Sequence, residues 1–226
     1  MLRRLLRAKT YLGVLLAAAF LFGAAGTAVP PETTPNPPDV DHVIDQVAAL
    51  HSEVRSYTFD LRLHIVLRTF PWVRFRLKGA GAYQKDGPYV LEIANMPGFA
   101  KSYGHVSLAY LDPQTWSKDY TMSVSRRSGD TVVLLLHDRK KSALREALAT
   151  FDMRSGLREI VWRYDYGGVI DLTFAPDKDA GYALPGTLDA DIVMPQYHAK
   201  AHADFTNYRV VTGGDHLAQT SEADGR

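Results

Sequence analysis

The sequence predicts an α+β protein that is mostly antiparallel β: a curled, unclosed β-barrel, or half-barrel, with helices plugging its concave face. Three observations carry this prediction. From Ser56 to Gln84 (SYTFDLRLHIVLRTFPWVRFRLKGAGAYQ) apolar and polar residues alternate, the pattern of strands with one buried and one wet face. Shorter runs of the same kind, separated by turn residues, continue to residue 210. The helical segments are too few to cover so much sheet. Eight strands ~23 Å long at ~4.8 Å spacing present about 880 Å² of apolar face. Two helices of ~21 and ~15 Å, each ~10 Å wide, cover about 360 Å². A sheet left that bare must curl on itself, enclose a hydrophobic hollow, or both.

In chain order, Asp41 reads as the N-cap of an amphipathic helix to about Arg55, with Val43, Ile44, Val47, Leu50 and Val54 at helical spacing. Two long strands follow as an antiparallel pair. Tyr57, Phe59, Leu61, Leu63, Ile65 and Leu67 share one face of the first, and Val73, Phe75, Leu77, Gly79, Gly81 and Tyr83 one face of the second. Lys85-Asp86-Gly87 is a turn into a third strand, Tyr89 to Ile93. Residues 95–113, broken by Pro97, Gly98 and Gly104, read as loop with one short helix. Alternation returns with Tyr120, Met122 and Val124, and Ser128-Gly129-Asp130 turns into Thr131 to His137, apolar on both faces and so expected at the centre of the sheet. Leu144, Ala147, Leu148 and Phe151 predict a second helix near 142–150. Four strands complete the fold, at 157–165, 169–175, 186–194 and 197–210. If Pro195-Gln196 is a two-residue turn, Asp191 faces Lys200 and Asp189 faces His202 on the wet side, while Leu188, Ala190, Ile192 and Met194 point inward with Ala199, Ala201 and Ala203.

The N-terminus reads as an address. Arg3, Arg4, Arg7 and Lys9 precede an apolar run from Tyr11 to Phe22, and small residues from Ala24 to Ala28 suit cleavage after Ala28. Residues 1–28 are therefore expected to be a secretory signal peptide. An uncleaved anchor is the alternative, because Tyr11 to Ala28 is about as long as the shortest spanning helices. Either way the folded part is expected outside the cytoplasm, periplasmic or secreted. Residues 29–39 (VPPETTPNPPD) form a proline-rich linker, 40–211 the folded domain, and 212–226 a polar tail expected to be disordered. Removing residues 1–28 takes the formal charge from +1 to −3, which argues against nucleic-acid binding. The chain has no cysteine, hence no disulfide and no thiol nucleophile.

The order of elements has a further meaning. A signal peptide, a linker, an amphipathic helix, a long strand opening SYTFDLRL, meander strands, a helical plug, a strand-turn-strand around DYGG, then LPGTLDADI and a last strand ending ADFTNYRV together resemble the periplasmic lipoprotein-carrier family, LolA- and LolB-like, related to RseB-type N-terminal domains. The resemblance covers residues 40–211. It implies a half-barrel with a helical lid and an apolar cavity for the acyl chains of lipids or lipoproteins, acting in lipoprotein localisation as a transport chaperone without cofactor. The same fold could also serve an envelope sensor or scaffold that binds a partner protein. Such carriers gate the lid with a buried arginine; Arg62, Arg74 and Arg76 here all alternate onto the polar face.

Candidate sites follow from the faces. The cavity wall is assigned to Tyr57, Phe59, Leu61, Leu63, Phe75, Leu77 and Tyr83, with Met122, Trp162, Phe174, Ile192 and Phe205 from later strands. Gly79, Gly81 and the alanines at 199, 201 and 203 leave room there, for either a closely packed helix or a ligand. Val43, Val47, Leu50 and Val54 form the stripe of the lid helix. Arg62, Arg68, Arg74, Arg76 and Lys78 make a basic patch suited to a membrane or an acidic envelope protein. His198 and His202 share an outward face, but two histidines lack the further ligands of a metal centre. No GxSxG, HExxH or P-loop occurs, so the chain is not read as an enzyme.

Overall fold

The structure, a computed structural model, describes residues 38–69, 72–85, 87, 89–94, 96, 105–107, 112–140, 143–180 and 182–213. The expected signal peptide, most of the linker and all but the start of the tail lie outside the described residues. Among the described residues one α-helix, α1 (Pro38–Ala49), leads into eleven strands: β1 (Val54–Leu67), β2 (Arg74–Gln84), β3 (Val90–Ala94), β4 (His105–Ser107), β5 (Tyr120–Ser128), β6 (Thr131–Asp138), β7 (Leu144–Asp152), β8 (Gly156–Tyr164), β9 (Val169–Pro176), β10 (Pro185–Met194) and β11 (Tyr197–Thr212). A 3₁₀ turn, Pro113–Lys118, precedes β5. All pairings are antiparallel, in one sheet of order β4-β3-β2-β1-β11-β10-β9-β8-β7-β6-β5. The sheet does not close: β4 and β5 are its edges.

Those edges are consecutive in sequence, and this forces the curl. Thirteen residue steps separate Ser107 from Tyr120, and six residues of that stretch form the 3₁₀ turn. Such a connection reaches at most about 36 Å, at ~3.4 Å per extended residue and ~2.0 Å per 3₁₀ residue. A flat sheet of this order would hold its edges about 48 Å apart. Bending the sheet brings them within reach, and the connection packs on the hollow side, where buried Trp116 lies 5.8 Å from Phe151.

The inward face of the sheet and the stripe of α1 form one core. Val40, Val43, Ile44 and Val47 of the helix are buried with Tyr57, Phe59, Leu61, Ile65 and Leu67 of β1 and the inward residues of the later strands. The helix begins at Pro38, three residues before the expected cap, because proline suits the first helical turn and Asp39 and Asp41 then sit at the positive end of the helix dipole. It ends at Ala49. Leu50 falls in the turn that follows, and Val54 is not on the helix: it opens β1, buried.

The expected second helix is strand β7. A bulge between Leu144 and Glu146 puts Leu144 in phase with buried Ala147, Ala149 and Phe151. Leu148, on the other face, completes what looks like helical spacing. Strand β6 is second from the edge, not central. It is apolar on both faces because the outer face carries a row of its own, with Leu135 opposite Leu148 and Leu148 opposite Val161.

The last hairpin has the expected register: Met194 faces Tyr197 across Pro195-Gln196, Asp191 faces Lys200 and Asp189 faces His202. On its outer side the Lys200 ammonium reaches Asp191 at 2.9 Å, and His198 Nε2 reaches the same carboxylate at 2.6 Å. The His202 ring bridges two carboxylates, with Nδ1 2.7 Å from Asp189 and Nε2 3.3 Å from Asp204. Hydrogen bonding to Asp189 outweighs the opposing effect of burial and, with Asp204, raises the His202 pKa above its ordinary 6.5.

Two predictions follow from these contacts. Because a Cβ at Gly81 would overlap the Phe59 ring, Gly81→Ala should lower stability by about 1–3 kcal/mol, as overpacking does. In urea denaturation the loss should shrink when Phe59→Leu is added, and strictly additive effects would show that the two do not share space. For His202 the raised folded pKa means that its contribution is complete below 6.5 and disappears as pH rises through the folded value. Asp189→Asn should therefore be less stable than the parent near about pH 5.5 and indistinguishable near about pH 8.5. A deficit that is the same at both values would contradict the assignment.

Candidate functional site: a pocket beneath the helix

Where α1 runs out, it no longer fills the end of the hollow. A cavity of about 370 Å³ opens there, bounded by Ile44, Val47 and Ala48 of α1, Tyr57 of β1, Tyr83 of β2, Leu157 of β8, Phe174 of β9 and Leu184 before β10. This volume is in the range of ligand pockets. Its floor is aromatic. Tyr57 stacks on Tyr83 with ring centroids 4.9 Å apart and planes at 21°. Tyr89 meets both edge-on, at 5.9 and 5.6 Å. Beneath them Phe59 packs on Phe205 at 5.3 Å and on Tyr208 at 5.7 Å, and the Tyr208 hydroxyl donates to the Pro185 carbonyl at 2.6 Å. Offset and edge-on contacts of this kind hold rings in fixed orientations.

The rim of the pocket is polar. Burial lowers the His51 pKa, against the opposing pull of the Tyr182 backbone and Asp112, so its imidazole is uncharged at neutral pH. Its Nδ1 is buried without a hydrogen-bond partner. Burial raises the Asp112 pKa, although the Gln114 N–H donates to this carboxylate at 3.1 Å as it caps the 3₁₀ turn. Burial likewise raises the Tyr57 hydroxyl above the usual phenol range. The charged Asp45 and Lys85 also line this space. The arrangement suits a chain that is apolar along its length and offers hydrogen-bonding groups at one end. Among the described residues no group of three or more His, Asp or Glu side chains is placed to hold a metal ion.

The expected wall residues divide between two depths. Tyr57, Tyr83 and Phe174 line the pocket, as does Val47 of the lid stripe. Phe59, Leu61, Leu77, Met122, Trp162, Ile192, Phe205 and Val43 lie deeper, inside the packed core, with Leu63 and Phe75 against it. The room expected at Gly81 is filled by the Phe59 ring, and at Gly79 a Cβ would strike the Glu92 carbonyl oxygen of β3. The basic residues alternate outward as expected: Arg62, Arg68, Arg74, Arg76 and Lys78 are all exposed. Sequence reasoning missed Ala48, His51, Asp112 and Leu184. An Asp before a Pro is a helix-start signal, and Asp112-Pro113 could have marked the 3₁₀ turn.

No helix of the described residues is long and apolar enough to cross a membrane. No protein-family model matches the chain, and no curated protein matches it in sequence. Solved structures do match. One is a LolA superfamily protein from Nitrosomonas europaea, 12% identical, with 79% of this chain and 96% of that one covered and a TM-score of 0.45. A second is a DUF1329 family protein from Desulfovibrio piger, 9% identical over 79% of this chain and 95% of that one, TM-score 0.56. A third is a domain from Vibrio parahaemolyticus described as outer membrane lipoprotein-sorting, 9% identical over 76% of this chain and 92% of that one, TM-score 0.52. None of the three is described as an enzyme. At 9% identity the second and third likenesses are of fold alone.

Proposed function

We propose that this chain is a periplasmic or secreted carrier that binds lipids or lipoproteins by holding acyl chains between α1 and the curled sheet. The observation that carries this reading is the pocket of about 370 Å³ at the open end of the hollow, bounded by Val47, Ala48, Tyr57, Tyr83, Phe174 and Leu184. The fold shared with a lipoprotein-sorting domain supports it. The signal peptide expected at residues 1–28 delivers the chain to the envelope, and N-terminal sequencing of the exported protein distinguishes cleavage from a retained anchor.

The energetics allow the helix to act as a lid. Its four buried side chains, Val40, Val43, Ile44 and Val47, contribute roughly 6–12 kcal/mol of gross apolar burial. An acyl chain burying ten methylenes gains about 8 kcal/mol gross. The two are comparable, so an entering chain can replace part of the helix's apolar burial without a large net cost. After ordering and association costs a micromolar Kd is expected.

Ala48 is half-buried, on a helix and beside the pocket. Ala48→Trp should fill the space, leave the melting temperature within a few degrees, and weaken binding of a fluorescent fatty acid by about tenfold or more. The measurement is titration of delipidated protein, with native mass spectrometry of protein purified from its host envelope. A folded protein with no copurified lipid and no saturable binding would leave a partner-binding scaffold as the better description.

A further inference from the structure

Among the described residues five large apolar side chains are well exposed: Trp72, Val90, Tyr166, Val193 and Val211. Three of them share one end of the sheet. Trp72 belongs to the connection between β1 and β2, Tyr166 to the turn between β8 and β9, and Val193 lies beside the β10–β11 turn. These hairpins are neighbours. The Arg68 N–H donates to the His198 carbonyl at 2.7 Å, joining the first to the last. The Tyr166 hydroxyl points to Met194 Sδ at 3.8 Å, joining the third. Trp72 is 77% exposed, while its indole Nε1 donates to the Arg68 carbonyl at 3.0 Å. The ring is thus positioned by the backbone and still presented to solvent.

Behind this tip the outer face of β1 and β2 is basic. Arg62 lies opposite Lys78 on β2, with Asp204 of β11 on its other side. Like charges directly opposite one another disfavour the isolated sheet. Four cations elsewhere are matched: Lys140 with Asp119, Arg154 with Asp130, Arg163 with Glu146, Lys200 with Asp191. Arg62, Arg68, Arg74, Arg76 and Lys78 make no such pair among the described residues. Exposed indole and phenol rings beside unpaired arginines match a surface that is apolar below and anionic above.

We infer that this end of the sheet docks on a bilayer bearing anionic lipid headgroups, with Trp72 and Tyr166 at the headgroup level and Arg68, Arg74 and Arg76 against the phosphates. The inference does not depend on what the pocket holds. Tyr57, which lines the pocket, and Leu67, beside the Trp72 connection, are ten residues apart on β1, or about 33 Å of strand. A docked molecule therefore carries its pocket at the end remote from the bilayer.

The experiment uses the full chain as purified, with vesicles of phosphatidylcholine alone or with about one-fifth phosphatidylglycerol. Trp116 and Trp162 are buried, so Trp72 dominates quenching by bromine-labelled acyl chains. Expected are quenching and a blue shift with the anionic vesicles, suppressed by salt and weak with phosphatidylcholine alone. Arg74→Gln with Arg76→Gln should weaken vesicle partition by about fivefold per charge. Trp72→Ser should weaken it by a similar factor, and neither variant should change the melting temperature. Equal partition to both vesicle types, or variants that partition like the parent, would overturn the proposal. So would a folded parent that binds neither, in which case an acidic protein becomes the partner to seek.

Discussion

The constraint on which the rest depends is the short connection from one edge of the sheet to the other. Strands β4 and β5 are adjacent in sequence and at opposite ends of an eleven-strand order. The chain between them cannot span a flat sheet. Curl is therefore imposed by covalent reach as well as by the intrinsic twist of strands. Once curled, the sheet has a hollow side that one short helix and a 3₁₀ turn can largely fill, and the unfilled remainder is the pocket.

Packing decides where that remainder lies. The middle of the hollow is closed by side chains from the sheet itself: Phe59 occupies the space over Gly81, and Phe205 and Tyr208 close around it. Interiors tolerate few voids larger than a water molecule, so emptiness persists only where an element stops. Helix α1 stops at Ala49, and the chain turns through His51 and Ser52 before β1. The pocket is thus a boundary feature of the helix, with an aromatic floor from the sheet and a polar rim from the turn.

Much of the architecture was legible because period-two alternation survives translation into structure almost residue for residue in β1 and β2. With Pro195-Gln196 taken as a two-residue turn, the register of β10 and β11 followed as the structure has it. What was not legible has a local cause each time. In β7 a bulge turned strand alternation into helix-like spacing. In β6 an apolar outer row, Leu135 with Leu148 and Val161, imitated the two-sided burial of a central strand. Small residues on the inward face suggested room, but the size of a side chain does not say whether a neighbour has already taken the space. At Gly81 one has. Residues that surround the pocket from turns, His51 and Asp112 among them, carry no periodicity, and only the tertiary fold brings them together.

An open sheet also has a consequence for how copies of this chain meet one another. Each unpaired edge exposes a ladder of N–H and C=O groups that would accept a strand from a second molecule. Both edges here are poor templates. Strand β4 is three residues long, too short to seed an extended pairing. Strand β5 is longer, but its register breaks between Val124 and Arg126, and Arg126 and Arg127 follow at once, exposed. A bulge twists the edge out of plane, and paired arginines repel an identical strand laid against them. Both devices keep an incomplete barrel from stacking edge to edge into fibrils.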